Sequence, residues 1–134
     1  MPKPLDSVIQ RFVSEWLKKA DLDLQLAEYL QVEDAPFYEA IAFHSQQATE
    51  KYLKAFLVKS QVEFPKIHNI PQLLELVARV DKKLAKALQP TVALNPFGVL
   101  IRYPDDAQMV DRKQATMALS VAKKAAEIIK GKVK

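Results

Sequence analysis

Six polar side chains stand at unlikely positions for a helical protein, either inside apolar stripes or beside helix ends. They are Asp23, His44, Gln47, Lys51, His68 and Arg102. Their combined charge is positive. A folded helical bundle could gather several of them at one end or along one groove, and such a groove suits a nucleotide phosphate or an RNA backbone. The chemistry that these residue types predict is therefore recognition of phosphate.

The clearest signal lies in the run 43–57, FHSQQATEKYLKAFL. At about 100° per residue, Lys51 and the apolar Ala48 both fall within roughly 60° of His44. A second apolar group, which includes Phe56, covers much of the opposite side. A helix that is apolar on two sides is either central in its own bundle or packs against a second chain as well. Because burying Lys51 and His44 alone would be costly, they are either paired or line a cleft.

Two further polar residues allow two interpretations each. Asp23 lies in the middle of an apolar stripe, where it either forms a structural pair with Lys51 or an arginine, or forms one wall of a polar cleft. His68 precedes a predicted helix start. It is either a surface or capping residue or, because helix N-termini favour anions, a phosphate contact.

Composition excludes several kinds of site. The chain has 134 residues, two glycines, two histidines and no cysteine. It therefore lacks a glycine-rich phosphate loop, disulfides and thiolate metal sites, and a structural zinc site is not expected. The net charge of +4 and the pI of about 9.2 permit phosphate or nucleic-acid binding without demanding it. With no signal-peptide pattern and no apolar run long enough to span a bilayer, we expect a cytoplasmic protein with no membrane association.

The elements that must position these residues are all helices. Hydrophobic periodicity predicts a first helix that starts near Asp6 or Ser7 and ends at about Leu30. Its expected buried stripe is Ile9, Phe12, Val13, Trp16, Ala20, Leu24, Ala27 and Leu30. We find no strand pattern and no internal repeat.

Capping residues divide the rest of the chain. Asp34, Asn69, Asp81 and Asp111 are the expected N-caps of the second to fifth helices. The predicted spans are about 36–60, 70–80, 82–101 and 112–130.

Prolines and glycines shape the later helices. Pro90 and Pro96 should kink or break the fourth helix, Gly98 suits a close backbone approach, and Gly131 should end the last helix. The inner face of that last helix is mostly alanine: Ala115, Ala118, Ala122, Ala125 and Ile129. The predicted fold is an all-α, up-and-down bundle of four or five helices in one domain covering residues 1–134.

Four segments together resemble the HEPN (higher eukaryotes and prokaryotes nucleotide-binding) domain family. The second-helix run from Phe43 to Ala55 is similar to the family's second-helix signature, and Lys66-Ile67-His68-Asn69-Ile70 resembles its Lys-Thr-His-Asp-Leu element. The other two segments are Trp16–Leu24, which resembles the first helix, and Arg102-Tyr103-Pro104-Asp105, which resembles a turn of the small stand-alone prokaryotic members. They occur in the family's order and cover nearly the whole chain.

The resemblance implies a homodimer with a cleft between its two subunits. Many members are partners, or substrate-binding subunits, of a minimal nucleotidyltransferase. For this chain it implies a nucleotide ligand such as ATP, with no other cofactor. Lys51 and Arg102 would contact phosphate, His44 and Gln47 would hydrogen-bond it, and Tyr103 would stack on a base.

Other members of the family are metal-independent ribonucleases, often toxins, which carry an arginine followed four to six residues later by histidine. In this sequence those positions after Arg102 hold Asp106, Ala107 and Gln108, so the usual proton-transfer partner is missing. A divergent ribonuclease that uses Arg102 with His44 remains an alternative. The third alternative is a non-catalytic toxin–antitoxin or structural partner whose polar groups are internal pairs.

Overall fold

The computed structural model describes residues 4–34, 36–66, 69–98 and 110–133 of the chain. Its α-helices are α1 (Pro4–Val32), α2 (Tyr38–Lys59), α3 (Ile70–Val80), α4 (Lys82–Ala87) and α5 (Arg112–Val133), with a 3-10 segment over Gln89–Gly98. No strand occurs in these residues, so the predicted all-α class is confirmed. None of the described helices combines the length and the apolar character that crossing a bilayer requires.

Helix α2 is the centre of the bundle, since it packs against α1, α5, α3 and the 3-10 segment. Helix α5 runs in the same direction as α2: Arg112 hydrogen-bonds Tyr38 near the start of both helices, and Lys130 lies over the Tyr52 ring further along. Helix α1 runs the opposite way: its Asp21 pairs with Lys130 near the end of α5, whereas Gln31 near its own end donates to Thr116 near the start of α5. These directions give the up-and-down arrangement expected of such a bundle.

The core is built from large aliphatic residues on α2 and α3 and small residues on α5. All five residues predicted for the inner face of α5 are buried, together with Leu119 and Ala126. Alanine at these positions lets α5 approach α2 closely, so few side-chain atoms separate the two backbones. On α1 the prediction was partly wrong, since Phe12 is 43 % exposed and points away from this core.

Three of the four predicted N-caps are confirmed. Asn69 accepts from the Gln72 amide at 3.0 Å and Asp81 accepts from the Leu84 amide at 3.0 Å. Asp111 accepts from the Gln114 amide at 2.8 Å while the Gln114 side chain accepts from the Asp111 amide at 3.1 Å. This reciprocal pair is a capping box, which satisfies two backbone donors at the start of α5.

The fourth cap and two helix limits differ from the predictions. Asp34 does not cap α2; it has a left-handed φ of 52°, and the N-cap residue is Phe37, which makes no side-chain cap. Helix α1 starts at Pro4, upstream of Asp6 and Ser7, because proline is well suited to a first turn. Helix α5 continues through Gly131 to Val133, since one glycine lowers helix propensity by only about 1 kcal/mol and does not by itself end a helix.

The proline-rich stretch interrupts the fourth helix, as predicted. Helix α4 ends at Ala87 and the chain continues as the 3-10 segment, which contains Pro90 and Pro96. Proline lacks the amide that an α-helix needs, and a 3-10 turn tolerates that loss better over a short stretch. The predicted continuation of the helix to Ile101 lies outside the described residues.

Gly98 closes this segment against the side chain of Gln46 on α2. A Cβ atom at Gly98 would lie 3.0 Å from both Cδ and Nε2 of Gln46. Gln46 is fully buried and hydrogen-bonded, so it has little room to move. The close approach anticipated at this glycine therefore exists, but it is to a side chain rather than to backbone.

The two glycines provide a matched test of this packing. We expect Gly98→Ala to lower the free energy of unfolding by about 1–3 kcal/mol, because the added methyl overpacks a buried site. Gly131→Ala, where nothing lies within 4 Å, should raise it by up to about 1 kcal/mol through helix propensity. Urea unfolding followed by circular dichroism measures both changes, and equal effects of the two substitutions would contradict the packing described here.

Candidate functional site

Asp23 on α1 is shared by two residues of α2, His44 and Lys51. The Nδ1 atom of His44 donates to Oδ1 of Asp23 at 2.8 Å, and Nζ of Lys51 donates to Oδ2 of the same carboxylate. His44 and Lys51 are seven residues apart, which is about two helical turns, so both face α1. We call these three residues the Asp23 cluster.

The Asp23 cluster lies at the edge of the interface between α1 and α2 rather than inside it. The side chain of Asp23 is 13 % exposed, whereas those of His44 and Lys51 are 27 % and 25 % exposed. Phe43 packs edge-on against the His44 ring, with the two centroids 5.2 Å apart. One carboxylate thus holds two potential cations in fixed positions while leaving part of each open to solvent, an arrangement that can present positive charge to an incoming anion.

Gln47 belongs to a second polar system that runs along α2. Its Nε2 donates to Oε1 of Gln46 at 2.7 Å, and Nε2 of Gln46 donates to Oε1 of Glu50 at 2.5 Å. Oε2 of Glu50 then lies 3.9 Å from Nζ of Lys54. We call these four residues the polar ladder; Gln46, Glu50 and Lys54 are buried, and Gln47 is its partly exposed end.

Lys54 ends the polar ladder between two aromatic rings. Its Nζ lies 5.4 Å from the centroid of the Trp16 ring and 5.9 Å from that of Phe64, and these two rings pack edge to face at 6.2 Å. Burial lowers the pKa of Lys54, while Glu50 opposes that change and Lys51 adds to it. The rings compensate part of the lost hydration, because aromatic faces attract cations.

The polar ladder was not anticipated from the sequence. Gln46, Glu50 and Lys54 are spaced four residues apart, and that spacing places them on one line along a helix. In projection, Gln46 and Glu50 fall inside the second apolar group of α2, next to Leu53 and Leu57, and this position was the available signal. The spacing alone does not tell a buried hydrogen-bonded line from a solvated one.

A third polar cluster joins three helices on another side of α2. The hydroxyl of Tyr52 donates to Oδ1 of Asp21 at 2.5 Å, and Nζ of Lys130 lies 2.8 Å from the same oxygen. Burial of Tyr52 and, after it, the hydrogen bond to Asp21 raise the pKa of the phenol above its ordinary value. This cluster links α1, α2 and α5, and we interpret it as structural.

A separate concavity of about 270 Å³ lies at the start of α5. Arg112 lines it; its guanidinium contacts the hydroxyl of Tyr38 at 3.2 Å and Oδ1 of Asp34 at 3.1 Å. The Tyr38 hydrogen bond and the charge of Asp34 raise the pKa of Arg112 further. Arg112 was not among the residues predicted for a site.

The predicted site residues are thus distributed as follows. His44 and Lys51 come together with Asp23. Gln47 lies between them in the chain but belongs to the polar ladder. His68, Arg102 and Tyr103 lie outside the described residues. Among the residues that the structure describes, no group of three or more histidine, aspartate or glutamate side chains is placed to hold a metal ion.

The cluster of Tyr52, Asp21 and Lys130 predicts a particular dependence of stability on pH. The unfolded chain ionises this phenol near pH 10, whereas the folded chain keeps it protonated, so its contribution is complete below about pH 10 and is lost as the pH rises above it. The loss approaches about 1.4 kcal/mol per pH unit for one proton. Tyr52→Phe should lower the free energy of unfolding by about 1–2 kcal/mol at neutral pH. It should also remove the part of the alkaline loss of stability that ionisation of Tyr52 causes.

Urea unfolding from pH 7 to pH 11 measures this difference. Tyr38→Phe is the control, because it removes a phenol hydroxyl that lies at the surface against Arg112, and its alkaline decline should be as steep as that of the wild type. An identical alkaline decline in the wild type and Tyr52→Phe would contradict the assignment.

Comparisons with known proteins agree on the family and the fold. The family model of the HEPN domain matches residues 13–132. The crystal structure of ST0689, an archaeal HEPN homologue, is similar with a TM-score of 0.70 at 22% identity, over 91% of this chain and 98% of that one. The crystal structure of TT1696 from Thermus thermophilus is similar with a TM-score of 0.66 at 26% identity, over 90% of this chain and 97% of that one. No curated protein sequence matches this chain significantly.

Proposed function

This chain belongs to the HEPN domain family, and we propose that it acts as a binding subunit: a homodimer that holds a nucleotide, or a nucleotidylated partner, in a polar cleft. The observation that supports this proposal most directly is the Asp23 cluster, which presents His44 and Lys51 at the edge of the α1–α2 interface. We further propose that the partner is a minimal nucleotidyltransferase, as the resemblance of the second-helix signature implies.

The ligand that this surface fits best carries phosphate. A phosphate oxygen that approaches the cluster can accept hydrogen bonds from Nζ of Lys51, and from Nε2 of His44 when that ring carries both protons, since both side chains remain about one quarter exposed. The amide of Gln47, one turn from each, adds a neutral hydrogen-bonding group. Arg102 is proposed to add a further cation, and Tyr103 a ring on which a base can stack.

Asp23 has two opposing effects on such binding. It holds the side chains of His44 and Lys51 in place, which lowers the conformational entropy lost when a ligand binds. It also competes with the phosphate for the same hydrogen-bond donors, which weakens binding. We therefore expect modest affinity for a free nucleotide and tighter binding when a partner protein presents the phosphate.

Catalysis of RNA cleavage is the weaker hypothesis. The arginine-to-histidine spacing of the nuclease members is absent from this sequence. The bond between Nδ1 of His44 and Asp23 leaves Nε2 of that ring available as a base, but Arg102, with which it would act, lies outside the described residues. No feature of the described residues favours a nuclease over a binding subunit.

Isothermal titration with ATP, ADP and AMP tests nucleotide binding. Wild-type protein should bind, and Lys51→Met should weaken binding at least about tenfold by removing one cation. Lys123→Met, which changes an exposed lysine on α5, is the matched control and should bind like the wild type. Asp23→Asn should bind several-fold more tightly, because Lys51 loses its competing anion.

Circular dichroism spectra of all the variants check that the helices are intact. An absence of heat and of thermal shift at millimolar nucleotide would contradict the nucleotide part of the proposal. So would equal affinities of Lys51→Met and Lys123→Met.

Co-expression with a minimal nucleotidyltransferase from the same genome tests the partner. We expect the two proteins to co-elute as one complex in size-exclusion chromatography, and Lys51→Glu to reduce the complex by reversing the charge of the cluster. Lys123→Glu is the control. Separate elution of the two wild-type proteins would exclude this partner.

A further inference from the structure

Helix α1 carries a second apolar face that points away from its own bundle. Its positions follow one another at alternating spacings of three and four residues, which is the heptad pattern of helices that pack in pairs. We call it the heptad face, and it consists of Leu5, Val8, Phe12, Glu15, Lys19, Leu22, Leu26 and Tyr29. All eight residues are exposed.

The exposure of this face is unusual for the molecule. Ten large hydrophobic residues are exposed in the part of the chain that the structure describes, and six of them belong to the heptad face. Leu22 is 66 % exposed and Leu5 is 59 % exposed. Exposed apolar residues that form one continuous stripe, rather than being scattered, indicate a docking surface.

The charges in the middle of the heptad face identify the partner. Glu15 and Lys19 occupy its two central positions, and neither has an ion-pair or hydrogen-bond partner among the described residues. Their spacing places them symmetrically about residue 17. A second copy of α1, running antiparallel about a two-fold axis at that point, would place Lys19 opposite Glu15 twice.

We propose that two copies of this chain pair through their heptad faces in this antiparallel register. Each layer joins residues whose numbers add to 34. The layers are Leu5 with Tyr29, Val8 with Leu26, Phe12 with Leu22, and Glu15 with Lys19, each formed twice. The six apolar positions are then buried against apolar positions, and the two charged positions meet opposite charges.

The charge pattern selects this register over the parallel one. In a parallel pair each heptad position meets its own copy, so Glu15 would face Glu15 and Lys19 would face Lys19 across the seam. Like charges at these positions disfavour that pairing. An uncharged apolar stripe would not have made this distinction.

The antiparallel pair also places two candidate sites together. Asp23 follows Leu22 directly, so it lies on the flank of the heptad face that is turned towards its own bundle. The two-fold axis brings both Asp23 clusters to the same side of the helix pair, about 18 Å apart along the helices. This step rests on the proposed function, because it turns the expected dimer cleft into a groove flanked by α2 of each copy.

Charge reversal tests the interface without disturbing the core. Sedimentation velocity should show wild-type protein as a dimer, and Glu15→Lys or Lys19→Glu alone should raise the dimer dissociation constant at least about tenfold. The double variant Glu15→Lys/Lys19→Glu should restore dimerisation, because opposite charges meet again. Leu22→Glu should give a monomer, whereas Met117→Glu, at an exposed hydrophobic residue of α5, should remain a dimer.

The register is tested by cross-linking, since the chain has no cysteine of its own. The double variant Phe12→Cys/Leu22→Cys should form an intermolecular disulfide on oxidation, whereas Leu22→Cys alone should not. Cross-linking of the single variant would show a parallel pair and overturn the proposal.

Further outcomes would overturn the proposal as well. They are a monomeric wild type, a dimer that all these substitutions leave intact, and a double charge variant that fails to recover. Thermal melting of each variant shows that it is folded. Titration of the wild type with ATP separates the two proposals. A wild type that binds ATP but stays a monomer overturns the interface, whereas a dimer that responds to the substitutions as expected but binds no ATP overturns only the nucleotide part of the proposed function.

Discussion

The whole fold depends on finding partners for the polar groups of α2. This helix is surrounded by other elements, yet it carries histidine, lysine, glutamate and glutamine on its packed faces. Among the described residues, no buried side-chain nitrogen or oxygen lacks a hydrogen-bond partner. Asp23 and Asp21 of α1 provide two of those partners on different faces of α2. Because buried polar groups need such partners, they fix the register of α1 and α2 more strictly than apolar contacts can.

Much of this arrangement could be predicted from the sequence. The helical wheel placed His44 and Lys51 in an apolar stripe and Asp23 in the stripe of the first helix, and burial then required partners. The caps at Asn69, Asp81 and Asp111 follow from local chemistry, because a carboxylate or amide side chain before an apolar run satisfies free backbone amides. These features depend on residues close in the chain or on a single periodicity.

The remaining features depend on contacts between distant parts of the chain, which the hydrophobic periodicity of one segment does not reveal. Phe12 looks like a core residue because it is apolar, and the pattern on α1 is compatible with two separate faces. Asp34 resembles a cap but takes a left-handed turn, where it meets Arg112 from a helix about eighty residues later. Whether Glu50 and Lys54 are buried depends on the aromatic residues that cover them. The structure does not describe His68, Arg102 and Tyr103, so their placement in the site stays a prediction.

Trp16 is the only tryptophan in the chain, and it lies against the ammonium group that ends the polar ladder. Any change in the charge or position of Lys54 alters the electric field at the indole ring. The intrinsic fluorescence of the unmodified protein is therefore an optical reporter of this buried line of side chains.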